Sequence, residues 1–578
     1  RQFQNFGSDD RIIAGACKPQ RFADLDFPVT ARSAHGRDQA LIAPALQRRL
    51  ADAQCSSYLF RGQEILRLHQ LRLDDLNVYM ESVRLKRRSV YWVCPNNNAT
   101  NQVECSAMLE EVRLDNFWWR AIVVNDLDVL CGGCSCGQLL VRRFDVMKLA
   151  IIGSGISGLM AAYRLYREHD ITVFEAGDYV GGHTNTVDVD CGGESQSIDT
   201  GFIVFNNWTY PNFVRLLNEL NVGWQPTKMS FSVRDDAADL EYNGHSLGTL
   251  FAQRSNLIRP QFYRMLADIV RFNRNAVQSV AECDADATVG QYLRQFGYSK
   301  LFCDHYLLPM GAAIWSCSTG TFLQFPIRFI IEFYHNHGLL SVTHRPTWRV
   351  VAGGSRSYVR AMCRGFGDRI RLRTPIRRVI RETHQVDVQP EHGASMSFDH
   401  VIFACHSDQA LRILGDDATA VEREVLGEFP YGRNVAVLHT DISALPRRPQ
   451  AWAAWNYRVR PDSAGHATVT YNMNILQGLS SRQTFCVTLN DEANIDPAQV
   501  LGRYVYHHPI FTTRRAAVQA RHHELINVNR TSFCGAYWGS GFHEDGVNSA
   551  LAVVDRLRGG SARPSHPVPA LHPVGIAR

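Results

Sequence analysis

MKLAIIGSGISGLMAAYRLYREHDITVFEAG, residues 147–177, compresses two strands and a helix into one short run. Lys148 to Ile152 is an apolar run of strand length, and Ile171 to Phe174 is a second. Between them, Ile156 to Glu168 has helical spacing, with Ile156, Leu159, Met160, Tyr163 and Leu165 on or near one face. This is a βαβ unit. Its first turn carries Gly153, Gly155 and Gly158 in G-x-G-x-x-G spacing, between strand and helix. That context gives the motif its weight. Gly153 permits the tight turn, Gly155 lets a diphosphate approach the backbone, and Gly158 lets helix and strand pack closely. The free N–H groups of Ile156 and Ser157 would then meet the anion at the helix N-terminus. Glu175 ends the second strand, 22 residues after Gly153, where its carboxylate can accept from both hydroxyls of an adenosine ribose.

Downstream, Ala176 leads to a glycine pair, Gly181-Gly182, followed by His183 and Thr184. Near the C-terminus stands Phe533-Cys-Gly535-Ala-Tyr537-Trp-Gly-Ser-Gly541-Phe-His-Glu544-Asp545-Gly546, running into a helix over Val547–Leu557. Ile376 and Ala404 belong to the strand-like runs Ile376–Ile380 and His400–Ala404. Together these segments resemble the flavin-containing amine oxidase and phytoene desaturase-like superfamily, in its bacterial FAD-dependent oxidoreductase branch. Further matching segments are Asp199–Asn206, Met229–Val233, Ala313–Ser316 and Asn336–Leu340.

The resemblance implies FAD as cofactor and an α/β fold. A glutathione-reductase-like Rossmann domain would carry an inserted α+β substrate domain. It implies cofactor contacts from Gly153, Gly155, Ile156, Ser157, Gly158, Glu175, Ala176, Gly181, Gly182, His183, Thr184, Ile376, Ala404, Gly535, Tyr537, Gly541, Glu544, Asp545 and Gly546. The amides of the C-terminal turn would meet the flavin. Many members of the superfamily have Arg beside the glycine pair, where His183 stands here. Cys534 and His543 lie near the turn, but neither matches a covalent flavin linkage, so non-covalent FAD is expected.

The expected FAD domain is discontinuous, over 147–205, 350–440 and 530–558, with a substrate domain over 206–349 and 441–529. Residues 559–578, rich in Pro, Gly and Arg, read as a disordered tail. Residues 1–146 read as a poorly structured leader, upstream sequence outside the native translation being one explanation, and a chain starting at Met147 is expected to fold and bind FAD. Cys131, Cys134 and Cys136 form a CxxCxC cluster with Cys94 or Cys105 as a fourth thiol, but the spacing is not a standard zinc pattern and no metal is expected.

The chain has 578 residues, a net charge of +5 and 45% hydrophobic residues, a globular composition for more than one domain. No basic run suggests nucleic acid. No apolar stretch reaches the roughly 18 residues of a membrane span, and the 15 scattered cysteines suit a reducing cytoplasm. A peripheral membrane contact is compatible with this composition.

A flavin accepts hydride, so the expected reaction is oxidation of a C–H bond in an apolar, lipid or fatty-acyl substrate. Trp315, Trp348 and Asp199 are the candidates to line its site. A carboxylate within the apolar run 198–205 should be paired or functional. A small amine is the alternative substrate, although neither Lys228 nor Lys300 lies in a segment matching the lysine that several amine oxidases place near the flavin. A non-catalytic lipid- or prenyl-binding protein of the same fold is a second alternative. The electron acceptor has no signature in the sequence.

Overall fold

The computed structural model describes five strands before Val146 and residues 146–559 apart from 192, 342, 344 and 461–467. The chain divides into two units, Arg1–Val146 and Met147–Arg578. In the first, Glu64–Arg67, Arg87–Trp92, Cys105–Leu114, Phe117–Val124 and Gln138–Phe144 form one five-stranded sheet. The sequence reading expected little regular structure there. The cluster Cys131, Cys134 and Cys136 lies outside the described residues, as does the tail from 560.

In the second unit, a six-stranded sheet runs in the order Ile370–Arg371, Asp170–Phe174, Lys148–Ile152, His400–Phe403, Thr531–Phe533, Ile526–Val528. The first five are parallel and the last is antiparallel. Leu149, Ala150 and Ile151 are fully buried because helices cover one face and a small antiparallel sheet with further helices covers the other. The helix Ile156–Leu165 packs beside the C-terminal helix His543–Leu557. Both thus start at the carboxyl edge of the parallel strands, where open α/β sheets bind ligands.

A seven-stranded sheet forms the second layer system: Leu240–Asn243, Phe231–Asp235, Trp455–Val459, Val469–Asn472, Cys486–Leu489, Tyr431–His439 and Val500–Pro509. Helices Pro260–Ser279, Val289–Gln295, Leu308–Trp315 and Ile327–Asn336 pack with it around an aromatic core.

Three segments cross the boundaries expected from sequence. Tyr431–His439 joins the seven-stranded sheet, not the FAD domain, because it pairs along its length with Val500–Pro509. Ile526–Val528 is the edge of the six-stranded sheet, paired with Thr531–Phe533. The helix Pro211–Glu219 buries Phe213, Leu216 and Leu217 in the core of the dinucleotide domain. Sequence periodicity located each element but carries no information about its sheet partner. Among the described residues, no helix is long and apolar enough to cross a membrane.

Candidate active site

A cavity of about 1230 Å³ runs between the two sheet systems, from Glu175 at one end to Trp315 and Tyr471 at the other. At the first end the wall is largely main chain. Gly153 has φ +107°, and a Cβ there would press on the carbonyl of Ala404 at 2.9 Å. A Cβ at Gly158 would overlap the carbonyl oxygen of Gly153, so this glycine sets the approach of helix to loop and does not itself line the cavity. Gly155 is the opposite case: nothing lies within 4 Å of its missing Cβ, and no side chain caps the helix that follows. An open glycine before an uncapped helix N-terminus is the cradle that a diphosphate fills.

Glu175 lies at the same end. Its Oε2 accepts from Ser154 N–H at 2.9 Å and Ser154 Oγ–H at 2.5 Å, and its Oε1 from Gly177 N–H at 2.8 Å. The sequence reading expected ribose hydroxyls at this carboxylate and did not anticipate these protein donors, which fix it in place. Ile156, Ser157, Ala176, Gly181, Gly182, His183, Ile376 and Ala404 line the same part of the cavity.

The C-terminal turn departs from expectation. Gly535, Tyr537 and Gly541 line the cavity, but Glu544, Asp545 and Gly546 do not. Glu544 accepts from the N–H groups of Asn212 and Phe213 at 2.9 and 2.8 Å, capping the helix Pro211–Glu219. Burial pushes its carboxyl up to about 7. Asp545 accepts from the amides of Ser540 and Phe542, both at 2.9 Å, and the amide of Gly541 donates to Ala536 O. The amides of Ser540, Gly541 and Phe542 are therefore used inside the turn. Gly546 packs against Ile156 and Ser157, where a Cβ would come within 3 Å of both. Thr184 is buried off the cavity and bonds to Tyr358 and His543.

Sequence reasoning missed a group of imidazoles. His183, His406, His507 and His508 all line the cavity. The ring of His183 lies 5.0 Å from Tyr506 and 5.2 Å from His508, centroid to centroid, and 6.2 Å from His406. Burial, with the neighbouring imidazoles, lowers His183 to about 3, His406 to about 4 and His508 to about 3. The buried Nε2 of His183 has no partner among the described residues. An orphaned polar atom on a cavity wall fits a polar ligand that completes it. The signal in the sequence was Tyr504, Tyr506 and His508 at period two in the strand Val500–Pro509.

The far end is built from apolar side chains. Phe231, Tyr306, Met310, Trp315, Trp455 and Tyr471 line it. Trp315 is nearly buried, packs on Phe333 at 4.8 Å, and donates its Nε1–H to Ser540 O at 3.3 Å. That bond ties the aromatic wall to the C-terminal turn. Trp348 also lines the cavity, near His337. His337 stacks on Phe333 at 3.8 Å, and burial holds it down at about 4.

Asp199 does not line the cavity. It is fully buried and accepts from Thr186 Oγ at 2.6 Å, Ser355 Oγ at 2.7 Å and Ser355 N–H at 2.9 Å. Burial raises it to about 6, against the pull of those donors. Its part is structural, joining the hairpin Thr186–Asp199 to the start of the helix Arg356–Cys363. Lys300 pairs with Asp304 away from the cavity, whereas Lys228 is exposed on its lining. Cys534 is buried off the lining, and His543 is on it, stacked on Phe202 at 3.5 Å. Among the described residues no group of three His, Cys, Asp or Glu side chains could hold a metal ion.

Residues 156–440 match the family model for flavin containing amine oxidoreductases. Solved structures share the fold. Cyclohexylamine oxidase from Brevibacterium oxydans aligns with a TM-score of 0.53 at 16% identity, over 72% of this chain and 100% of its own. A putative protoporphyrinogen oxidase from Exiguobacterium sp. gives 0.51 at 17%, over 71% and 98%. A CLA-producing fatty acid isomerase from P. acnes gives 0.51 at 14%, also over 71% and 98%. No curated protein matches the chain.

Proposed function

We propose that the chain is a flavin-dependent oxidoreductase of the amine-oxidase superfamily with FAD as its cofactor, and that its substrate is an apolar, lipid-like molecule oxidised at a C–H bond. Neighbours named for amines, a porphyrinogen and a fatty acid share this fold, so the fold leaves the substrate open and the cavity must supply the argument. The observation that carries the reading is the distribution of charge along the lining. Among the described residues its only carboxylates are Glu175 and Glu391. Both stand at the dinucleotide end: the N–H of Thr374 bonds to Glu175 O, and the N–H of Glu391 to Pro375 O. The far end presents aromatic and aliphatic side chains and no acid. Burying an ammonium there would leave it without a counter-charge, a large desolvation cost. An acyl or alkyl chain gains about 0.8 kcal/mol for each buried methylene.

FAD, when bound, supplies the hydride acceptor. Gly153, Gly155 and the amides of Ile156 and Ser157 would hold its diphosphate, and Glu175 its ribose. Trp315, Phe333 and Tyr471 wall the substrate and exclude water from the reacting end. The bond from Trp315 to Ser540 O holds that wall against the C-terminal turn.

The test is anaerobic. Acyl lipids of increasing chain length should bleach the flavin absorbance, and alkyl amines should leave it oxidised. Trp315→Ala should retain FAD and reduce about tenfold more slowly, because the wall that aligns the substrate is gone. Bleaching by simple amines with none by acyl chains would overturn the proposal. The perpendicular pair Trp455 and Tyr471, at 5.0 Å, could receive an ammonium by cation–π attraction, which favours the amine as the second reading.

A further inference from the structure

Two cations stand at the edge of the apolar end. Lys228 follows Thr227, whose N–H donates to Trp348 O at 2.9 Å. Arg345 lies three residues before Trp348, at the same edge of the small sheet Val204–Asn206, Trp348–Val351 and Trp224–Pro226. Both side chains are exposed and both line the cavity. Neither pairs with a carboxylate among the described residues. Arg345 donates Nε–H to Ser341 O at 2.7 Å, and among the described residues its two terminal nitrogens have no acceptor. The Arg345 charge is near enough to act on the hydroxyl of Tyr306, a lining residue.

Unpaired surface cations are ordinary, and one alone would mean little. Here two flank the opening of an apolar channel whose nearest lining acids lie at its other end. An arginine fork matches a carboxylate or phosphate in two parallel hydrogen bonds. A lysine beside it adds charge without fixed direction. Resting on the apolar-substrate reading above, we infer that the substrate is an anionic amphiphile: Arg345 and Lys228 hold its carboxylate or phosphate head at the mouth, and its chain runs inward to Trp315. The head then acts as a ruler. Fixing it at the mouth determines which carbon of the chain reaches the reacting end.

Binding can be measured apart from turnover, through perturbation of the flavin absorbance of the FAD-loaded protein. Decanoate and decyl phosphate should bind about tenfold more tightly than decanol, and decyltrimethylammonium more weakly still. The double variant Arg345→Gln, Lys228→Gln should bind decanol as before and lose the advantage of the anions, with its FAD content unchanged. Co-sedimentation with phosphatidylglycerol vesicles separates the sources of the head group. Vesicle binding that the double variant loses assigns a bilayer lipid, and tight decanoate binding without vesicle binding assigns a free amphiphile. Equal affinity for decanoate and decanol, or preference for the ammonium, overturns the inference while leaving the apolar reading intact. Failure of every amphiphile to bind, decanol included, overturns both.

Discussion

At one end of the cavity Gly153, Gly155, Gly181 and Gly182 bring main chain to the surface, and Glu175 is fixed by two donors from Ser154 in the glycine turn and one from Gly177 in its own loop. At the other end Phe231, Tyr306, Trp315 and Tyr471 present ring after ring, and the polar groups are few. The difference follows from what each end must recognise. A cofactor that is always the same is met by backbone groups, whose positions a sheet and two helix termini define. A substrate is met by side chains, which can change without disturbing the sheet. The first end is therefore written in local sequence, and the second is assembled from the helix Leu308–Trp315, strands of the seven-stranded sheet and the segment 227–231, distant from one another in the chain.

The most damaging break in this comparison should come at Gly158. A valine there must displace the carbonyl of Gly153, and no flexible side chain lies in the way to yield. We expect Gly158→Val to lose FAD and roughly 3 kcal/mol or more of stability, read from flavin content and thermal melting. A yellow protein of unchanged stability would mean that the loop does not pack as described. Next is Glu175→Arg. It removes the acceptor for Ser154 and Gly177 as well as for the ribose, at about 1.5–3 kcal/mol for each charged hydrogen bond. The chain should fold and elute without flavin, and retained occupancy would show the dinucleotide site to be elsewhere.

A gentler probe acts where the two ends meet. His183, His406 and His508 are held at about 3 to 4, below the usual 6.5, mainly by burial. Protonation thus favours the unfolded chain. Stability present above pH 6.5 should be lost as pH falls toward 4. The melting temperature should drop over that window, and His183→Gln with His508→Gln should flatten the fall. A curve of the same slope in the double variant would remove these imidazoles from the account. The smallest effect should follow removal of residues 1–146. Strand Lys148–Ile152 is paired on both sides, by Asp170–Phe174 and His400–Phe403. FAD content should not change, and a colourless or insoluble shortened chain beside a yellow full-length one would contradict this.

Much of the cofactor end was legible because its devices are local. The glycines, the helix behind them and the carboxylate at the next strand end fall within residues 147–177. The C-terminal turn was located, but the work of its two acids was not. Asp545 and the carbonyl of Ala536 take the amides of Ser540, Gly541 and Phe542, and Glu544 caps a helix from another part of the chain. Asp199 was rightly marked as a carboxylate needing partners, yet they were Thr186 and Ser355, not a substrate. Nothing in a single sequence tells whether a buried acid faces a cavity or a helix end.

The βαβ unit could be read from the chain alone, because hydrophobic period and glycine spacing act between near neighbours, and FAD was implied by the family resemblance of the segments around it. Only the tertiary structure decided that His183, His406, His507 and His508 meet on one wall, and that the lining acids sit at one end with Lys228 and Arg345 at the other. Those arrangements depend on which strands pair across hundreds of residues. Side-chain alternation can say that a residue faces one side of a sheet, but the register and the partner strand say what it faces there.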